Sequence, residues 1–307
     1  MKYGVFQDFH PFGKLLLALF LMGSIYLIML FLSSLLAAVI YQVGFSDILD
    51  IIQGRSYREH IGLMKFLQIC YSAGLFLIPA CLTGFFISGS AFTYLNAKKK
   101  PLFLTLILVV LLVLSAVPLL NLLVEFNMHL SLPEKFAGLE DKIHSIEDDA
   151  EEMMNDFLST TNLWGFTVNL LMIAIIPALG EEFLFRGVLQ RIFAEWFRNV
   201  HIAILVTAVL FSTFHFQFLG FIPRFVLGVI FGYLLVWTGT IWVPVIAHFV
   251  NNAVAVVFYF LFNKGLIQND LEYVGTSQET LFMAGISLLV VVLILAGIWY
   301  REVKYIN

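Results

Sequence analysis

Apolar positions are not scattered along this chain but gathered into runs. Stretches of about 20 apolar residues, the length a helix needs to cross a bilayer, fall at Leu15–Val43, Leu63–Ile87, Leu102–Val124, Leu163–Phe185, Ile202–Phe218, Phe225–Trp237, Trp242–Phe262 and Leu281–Tyr300. The fifth and sixth are short enough to be tilted or partly re-entrant. None alternates with the period of a barrel strand, and lipid offers peptide groups no partner, so every span is predicted helical. The expected fold is an all-α, polytopic membrane helix bundle of about eight transmembrane helices. The first run is far longer than the about 7–15 residues of a signal-peptide core, so it is expected to stay in the mature chain.

Composition agrees. Of 307 residues, 61% are apolar and 12% charged, against about 45–50% and about 25% in a soluble domain. That excludes a soluble enzyme, a disordered chain and a nucleic-acid binder. The formal charge of −4 identifies no partner, because the charges are unevenly placed. With the N-terminus inside, ten Lys and Arg residues (Lys2, Lys14, Lys98, Lys99, Lys100, Arg186, Arg191, Arg198, Arg301, Lys304) lie on inner segments and seven on outer ones. This bias predicts both termini in the cytoplasm, the short loop with Lys98–Lys100 weighing most. Cys70 and Cys81 share one apolar stretch; on a helix they stand about 16 Å apart and cannot form a disulfide.

Two segments between or beside the spans are distinctive. From Glu134 to Asp156 there are nine acidic residues against two lysines. The apolar positions Phe136, Leu139, Ile143, Ile146, Ala150, Met153 and Phe157 step by three and four, one face of a helix with Pro133 at its start. It reads either as a solvated helix resting on the bundle or as a lid. Leu189–Phe197 sets Leu189, Ile192, Phe193, Trp196 and Phe197 against Arg191 and Arg198, and is predicted to be an interfacial helix on the cytoplasmic leaflet.

Ionisable groups in a span cost at least about 2.5 kcal/mol, which makes them functional candidates. They gather between the fourth and seventh spans. In Pro177-Ala-Leu-Gly-Glu-Glu-Phe-Leu-Phe-Arg-Gly187, Glu182 and Arg186 are four apart and form an ion pair, while Glu181 points elsewhere with no cation at hand, as suits a general base. Pro177 should kink the helix just before the acids. In Phe211-Ser-Thr-Phe-His215 the ring of Phe211 can wall one side of the imidazole. In His248-Phe-Val-Asn-Asn252 the histidine and Asn252 project together, with Asn251 an alternative. Singly, each cluster also reads as packing or interhelical glue. Together, a carboxylate, two imidazoles and an amide suit water activation with oxyanion stabilisation. Gly228-x-x-x-Gly232 permits close helix contact, within one bundle or between chains, and leaves the oligomeric state open.

Glu181-Glu182-x-x-x-Arg186, Phe211-x-x-x-His215 and His248-x-x-x-Asn252 resemble, in order, the three motifs of type II CAAX prenyl endopeptidases and their prokaryotic relatives, the CAAX protease and bacteriocin-processing (CPBP) family. The resemblance covers about residues 163–262. It implies three regions: 1–160, three spans and the acidic segment (about 133–158); 161–262, a four-helix protease core; and 263–307, a loop and the last span. It also implies an intramembrane endopeptidase in the plasma (inner) membrane of a prokaryote, working near the cytoplasmic leaflet on a peptide or protein substrate. Glu181 is expected near the cytoplasmic end of its span, as general base, with His215 sharing the attacking water. His248 and Asn252 would donate to the oxyanion, and Glu182–Arg186 would set the helix geometry. Zinc is left open: His215, His248 and Glu182 could bind it while Glu181 acts as base, although no His-Glu-x-x-His is present. The alternatives are a proton-coupled transporter or a non-proteolytic immunity or scaffold protein using the same polar cluster.

Overall fold

The computed structural model describes residues 4–130, 133–268 and 274–305; among them the regular structure is helical and no strand occurs. Lys2 and the side chain of Leu139 lie outside the described residues. Among the described residues, seven helices are long and apolar enough to cross a membrane: α1 (Pro11–Tyr41), α3 (Tyr57–Ser88), α5 (Phe103–Met128), α7 (Leu163–Phe197), α9 (Phe221–Thr238), α10 (Trp242–Asn263) and α11 (Leu281–Lys304). Between them stand α2 (Phe45–Ile52), α4 (Ala91–Tyr94), α6 (Ala137–Leu158) and α8 (Val200–Thr213). The expected fifth span is thus α8, whose 14 residues reach only about 21 Å, short of a bilayer core of about 30 Å.

Local chemistry sets the ends. The Asn162 side chain accepts from Gly165 N (2.8 Å) to start α7, and Asn199 accepts from His201 N (2.9 Å) and Ile202 N (3.2 Å) to start α8. These are N-caps that satisfy otherwise orphaned donors. Gly239, at φ +64°, closes α9 in the left-handed conformation that glycine adopts freely.

The bundle is organised around α7. On one side Phe183, Leu184, Phe185, Val188, Leu189, Ile192 and Phe193 pack with Ala18 and Met22 of α1 and Ala80 and Ile87 of α3. On the far side of the bundle, α5 and α11 pack against α9 and α10 through Leu112, Val113, Leu227, Phe231, Ala247 and Val291. Large apolar side chains such as Phe20, Phe103 and Leu293 are exposed, the outward face expected of lipid-facing helices.

The predicted separate helix Leu189–Phe197 is corrected. It continues α7 without a break, because Leu189, Ile192 and Phe193 are buried in the main core rather than laid on a surface. Lys14 of α1 pairs with Glu195 at 2.9 Å and Arg191 donates to the Tyr94 carbonyl, fixing this end of α7 to α1 and α4.

The two glycines of Gly228-x-x-x-Gly232 face α8 within the bundle. A Cβ at Gly228 would lie 3.0 Å from Ala208 Cβ and 3.1 Å from its Cα, so α9 can approach α8 only without a side chain there. At Gly232 the contacts are side-chain atoms, Gln190 Oε1 and Ile204 Cγ2, both at 2.9 Å. Gly228→Val is therefore expected to cost about 1–3 kcal/mol by overpacking, and Gly232→Ala less, because a single methyl there meets side-chain atoms and not backbone. Thermal unfolding of the two variants in detergent checks the order; equal shifts would mean that α8 and α9 do not depend on this contact.

The acidic segment forms α6, preceded by the single turn Glu134–Phe136. Its last carbonyls, which a helix leaves without internal donors, are taken by the bundle. Lys65 Nζ (2.7 Å) and Asn169 Nδ2 (2.8 Å) donate to Phe157 O, and Asn263 Nδ2 (2.9 Å) to Leu158 O. A cation at this end also favours the helix dipole. One turn earlier, Tyr57 Oη donates to Asp156 at 2.7 Å, and Arg58 pairs with both Glu152 and Asp156. These bonds, the Tyr57 hydroxyl foremost, hold the Asp156 carboxyl below the usual carboxylate range.

Candidate functional site

All six polar residues singled out from the sequence lie at the junction of α7, α8, α9 and α10. Gly180 lets α7 come close to α3 just before the acids: a Cβ there would lie 2.9 Å from Phe76 Cβ and 3.2 Å from Leu77 N. Pro177 does not break α7. Wide π-turns at Leu170–Ile175 and Glu182–Leu189, the second starting at the second acid, lie on either side of Glu181 and let the helix run on. Glu181 follows 18 residues after Leu163 and precedes Phe197 by 16, about 27 Å and 24 Å along the axis. The expectation of a place near the helix end is therefore corrected to its middle, the cause being the continuation of α7 beyond Phe185.

Glu182 and Arg186 form the predicted pair, with Nη1 to Oε1 at 2.9 Å and both side chains fully buried. Arg186 Nη2 also donates to the Gly228 carbonyl (3.2 Å), and its guanidinium lies over the rings of Phe211 (4.3 Å) and Phe231 (5.5 Å). Glu182 Oε1 takes a second bond, from His248 Nδ1 at 2.8 Å. A carboxylate beside an arginine accepts, so Nδ1 carries the proton and Nε2 is the free edge of the His248 ring. Phe231 stacks on that ring at 5.7 Å.

His215 lies two residues beyond the end of α8, not inside a helix as its spacing from Phe211 suggested. The i,i+4 relation survives all the same. Phe211 O is 2.8 Å from His215 Nδ1, and the two rings meet edge to face at 5.0 Å. Because a carbonyl only accepts, Nδ1 donates and Nε2 is again the free edge. Both free edges face Glu181: its Oε2 is 3.8 Å from His215 Nε2 and 3.9 Å from His248 Nε2, and this buried oxygen has no hydrogen-bond partner among the described residues. The gaps exceed a direct hydrogen bond and suit one bridging water.

Asn252 is turned differently from the expectation. Its Nδ2 donates to Ile173 O at 2.9 Å, and its Oδ1 accepts from Asn251 Nδ2 at 3.1 Å. Ile173 stands four residues before Pro177, which has no N–H to return to it. Asn252 thus supplies the donor that Pro177 lacks and ties α10 to α7; one amide hydrogen is committed there.

The zinc set named from the sequence does not assemble. Glu182 holds Nδ1, on the opposite edge of the His248 ring from the one facing His215. Among the described residues no group of three or more His, Cys, Asp or Glu has a metal-holding arrangement.

The sequence reading missed the Glu182–His248 bond and the rung beside Arg186. Gln190 Nε2 donates to Gly232 O at 3.2 Å, in the register of Arg186 and Gly228. The signal was present: Gln190 follows Arg186 by four, as Gly232 follows Gly228.

Residues 163–254 match the model of a family described as type II CAAX prenyl endopeptidase Rce1-like. Two relatives align over part of the chain. The uncharacterized protein YpbD of Bacillus subtilis (strain 168) is 32% identical over 90 residues, 28% of this chain and 43% of that protein. The membrane-embedded CAAX protease MroQ of Staphylococcus aureus (strain USA300) is 38% identical over 98 residues, 29% of this chain and 38% of that protein. The chain thus spans less than half the length of either relative. No solved structure matches it.

Proposed function

We propose that this multi-pass membrane chain, whose residues 163–254 are similar to the type II CAAX prenyl endopeptidase Rce1-like family, is an intramembrane endopeptidase whose catalytic base is Glu181. The observation that carries the reading is the convergence of Glu181 Oε2 with two imidazole Nε2 atoms, at 3.8 and 3.9 Å.

A water between Glu181 Oε2 and His215 Nε2 gives one hydrogen to Glu181 and is oriented by His215. Its oxygen attacks the peptide carbonyl carbon as its proton passes to Glu181. The carbonyl electron pair moves onto oxygen, where His248, carrying a proton on Nε2 as well as on Nδ1 from the outset and held by Glu182 at Nδ1, donates from Nε2. The uncommitted hydrogen of the Asn252 amide is the second donor. As the tetrahedral intermediate collapses and the C–N bond breaks, Glu181 returns its proton to the leaving nitrogen. Losing one oxyanion donor typically costs about 2.7–4 kcal/mol.

No step runs through a metal, because Glu182 serves His248 from behind and its partner Arg186 already neutralises it. The substrate is a peptide or protein at the membrane, cut at the mid-helix depth of Glu181. The Lys and Arg bias supports both termini at the cytoplasmic face, with α8 and the loop after it carrying the chain back across between α7 and α9.

The test is a comparison of membrane proteomes from cells with and without the chain, followed by digestion of each accumulated precursor with purified protein in liposomes. Accumulated precursors and their cleavage in the presence of a zinc chelator are expected. Chelator inactivation reversed by zinc would overturn the metal-free chemistry, and no precursor or cleavage would overturn the protease reading.

A further inference from the structure

His215 is carried by a loop, and a catalytic group on a loop needs outside support. The loop between α8 and α9 is under strain beside the histidine: Phe216, a bulky residue, has φ +52°. Such a conformation costs about 1–3 kcal/mol and persists only where surroundings over-determine it. Part of the hold is internal, with Ser212 Oγ donating to Phe221 O at 2.6 Å and Arg224 Nη1 to Gln217 O at 2.9 Å.

The rest comes from helices outside the family-matched segment. Asn127, in the last turn of α5 and 1% exposed, grips both sides of the loop's final turn. Its Nδ2 donates to Phe218 O at 2.9 Å and its Oδ1 accepts from Ile222 N at 2.8 Å. Between those two bonds, Leu219 N donates to Glu147 Oε1 of α6 at 2.7 Å. Two side chains, far apart in sequence, thus take up three peptide groups within five residues, close behind His215. α6 itself is anchored to α3, α7 and α10 at its other end, so Glu147 reaches the loop from a fixed support.

We propose that Asn127 and Glu147 are positioning residues that hold the His215 loop in its strained, working conformation, and that the acidic helix is a brace of the site. The proposal rests on the role given to His215 in the hydrolase reading and deepens it: the N-terminal region supplies part of the order that the motif helices lack.

The experiment measures the rate at which diethyl pyrocarbonate modifies each histidine of the purified full chain in nanodiscs, read by peptide mass spectrometry. His201, exposed at the start of α8, is the internal reference. Glu147→Ala and Asn127→Leu are expected to raise the His215 rate at least about five-fold over His201 by local opening, while Glu147→Gln, which keeps the acceptor oxygen, restores a slow rate. A general loss of structure would instead speed the buried His248 as well. If Asn127→Leu does not fold, the Glu147 pair decides. His215 rates within two-fold of wild type in Glu147→Ala, or an equal rise in Glu147→Gln, would overturn the proposal. Because the readout needs no substrate, it stands or falls separately from the hydrolase reading, which Glu181→Gln tests.

Discussion

Glu181→Gln is expected to lower turnover by about 10²–10⁴, the usual contribution of a general base, with KM nearly unchanged. The two side chains have the same shape, so the packing beneath Gly180 and the approach of α3 survive. What is lost is the acceptor of the water's proton, and a glutamine amide aimed at the two Nε2 atoms would donate where the carboxylate accepts. The substitution leaves the arginine pair intact, since Arg186 bonds Glu182 and not Glu181. The thermal midpoint should therefore stay close to wild type while cleavage of a precursor in liposomes disappears. Retention of more than about a tenth of the turnover would remove Glu181 from the base role.

The second large effect falls on stability. Arg186→Met leaves Glu182, 0% exposed, as a buried charge without its cation. Removing one partner of a buried pair typically costs about 3–5 kcal/mol. The contacts of the guanidinium with Gly228 O and the rings of Phe211 and Phe231 go with it. Arg186→Lys should not rescue, because one ammonium does not reproduce a planar fork that serves Glu182 and Gly228 O together. The double variant Glu182→Leu with Arg186→Met is expected to recover much of the stability, since no charge is then left unpaired. Activity should not return: His248 Nδ1 loses its acceptor, and the ring its fixed tautomer. Unfolding in detergent read beside precursor cleavage separates these outcomes. A single Arg186→Met variant as stable as wild type would mean that the pair does not hold α7 in place.

The sequence was a good guide where distances are local. Glu182 with Arg186, and Phe211 with His215, are four residues apart, and a helical turn brings such positions together whatever surrounds them. The second pair holds although His215 has left the helix, because its ring bonds back to the Phe211 carbonyl. Span length and apolar composition likewise announced seven of the membrane helices, because an α-helix satisfies its own peptide groups in lipid.

Other features were illegible for a physical reason. In a soluble helix the apolar stripe marks the inward face, but here lipid and neighbouring helices are equally apolar, so periodicity does not say which face meets which partner. The bond from His248 to Glu182 depends on the approach of α10 to α7, and the Asn252 contact with Ile173 on the same approach beside Pro177. Leu189–Phe197 looked amphipathic and was read as lying on the bilayer; only packing with α1, α3 and α8 made it the end of a 35-residue helix. Asn127, one amide at the end of an apolar run, carried no local signal at all. The chain's residues and their spacing determined the class, the spans and the set of reactive groups. Tertiary packing decided which edges of those groups face one another, because that depends on how closely helices with indistinguishable apolar surfaces can approach, and here glycines and orphaned carbonyls set the approach.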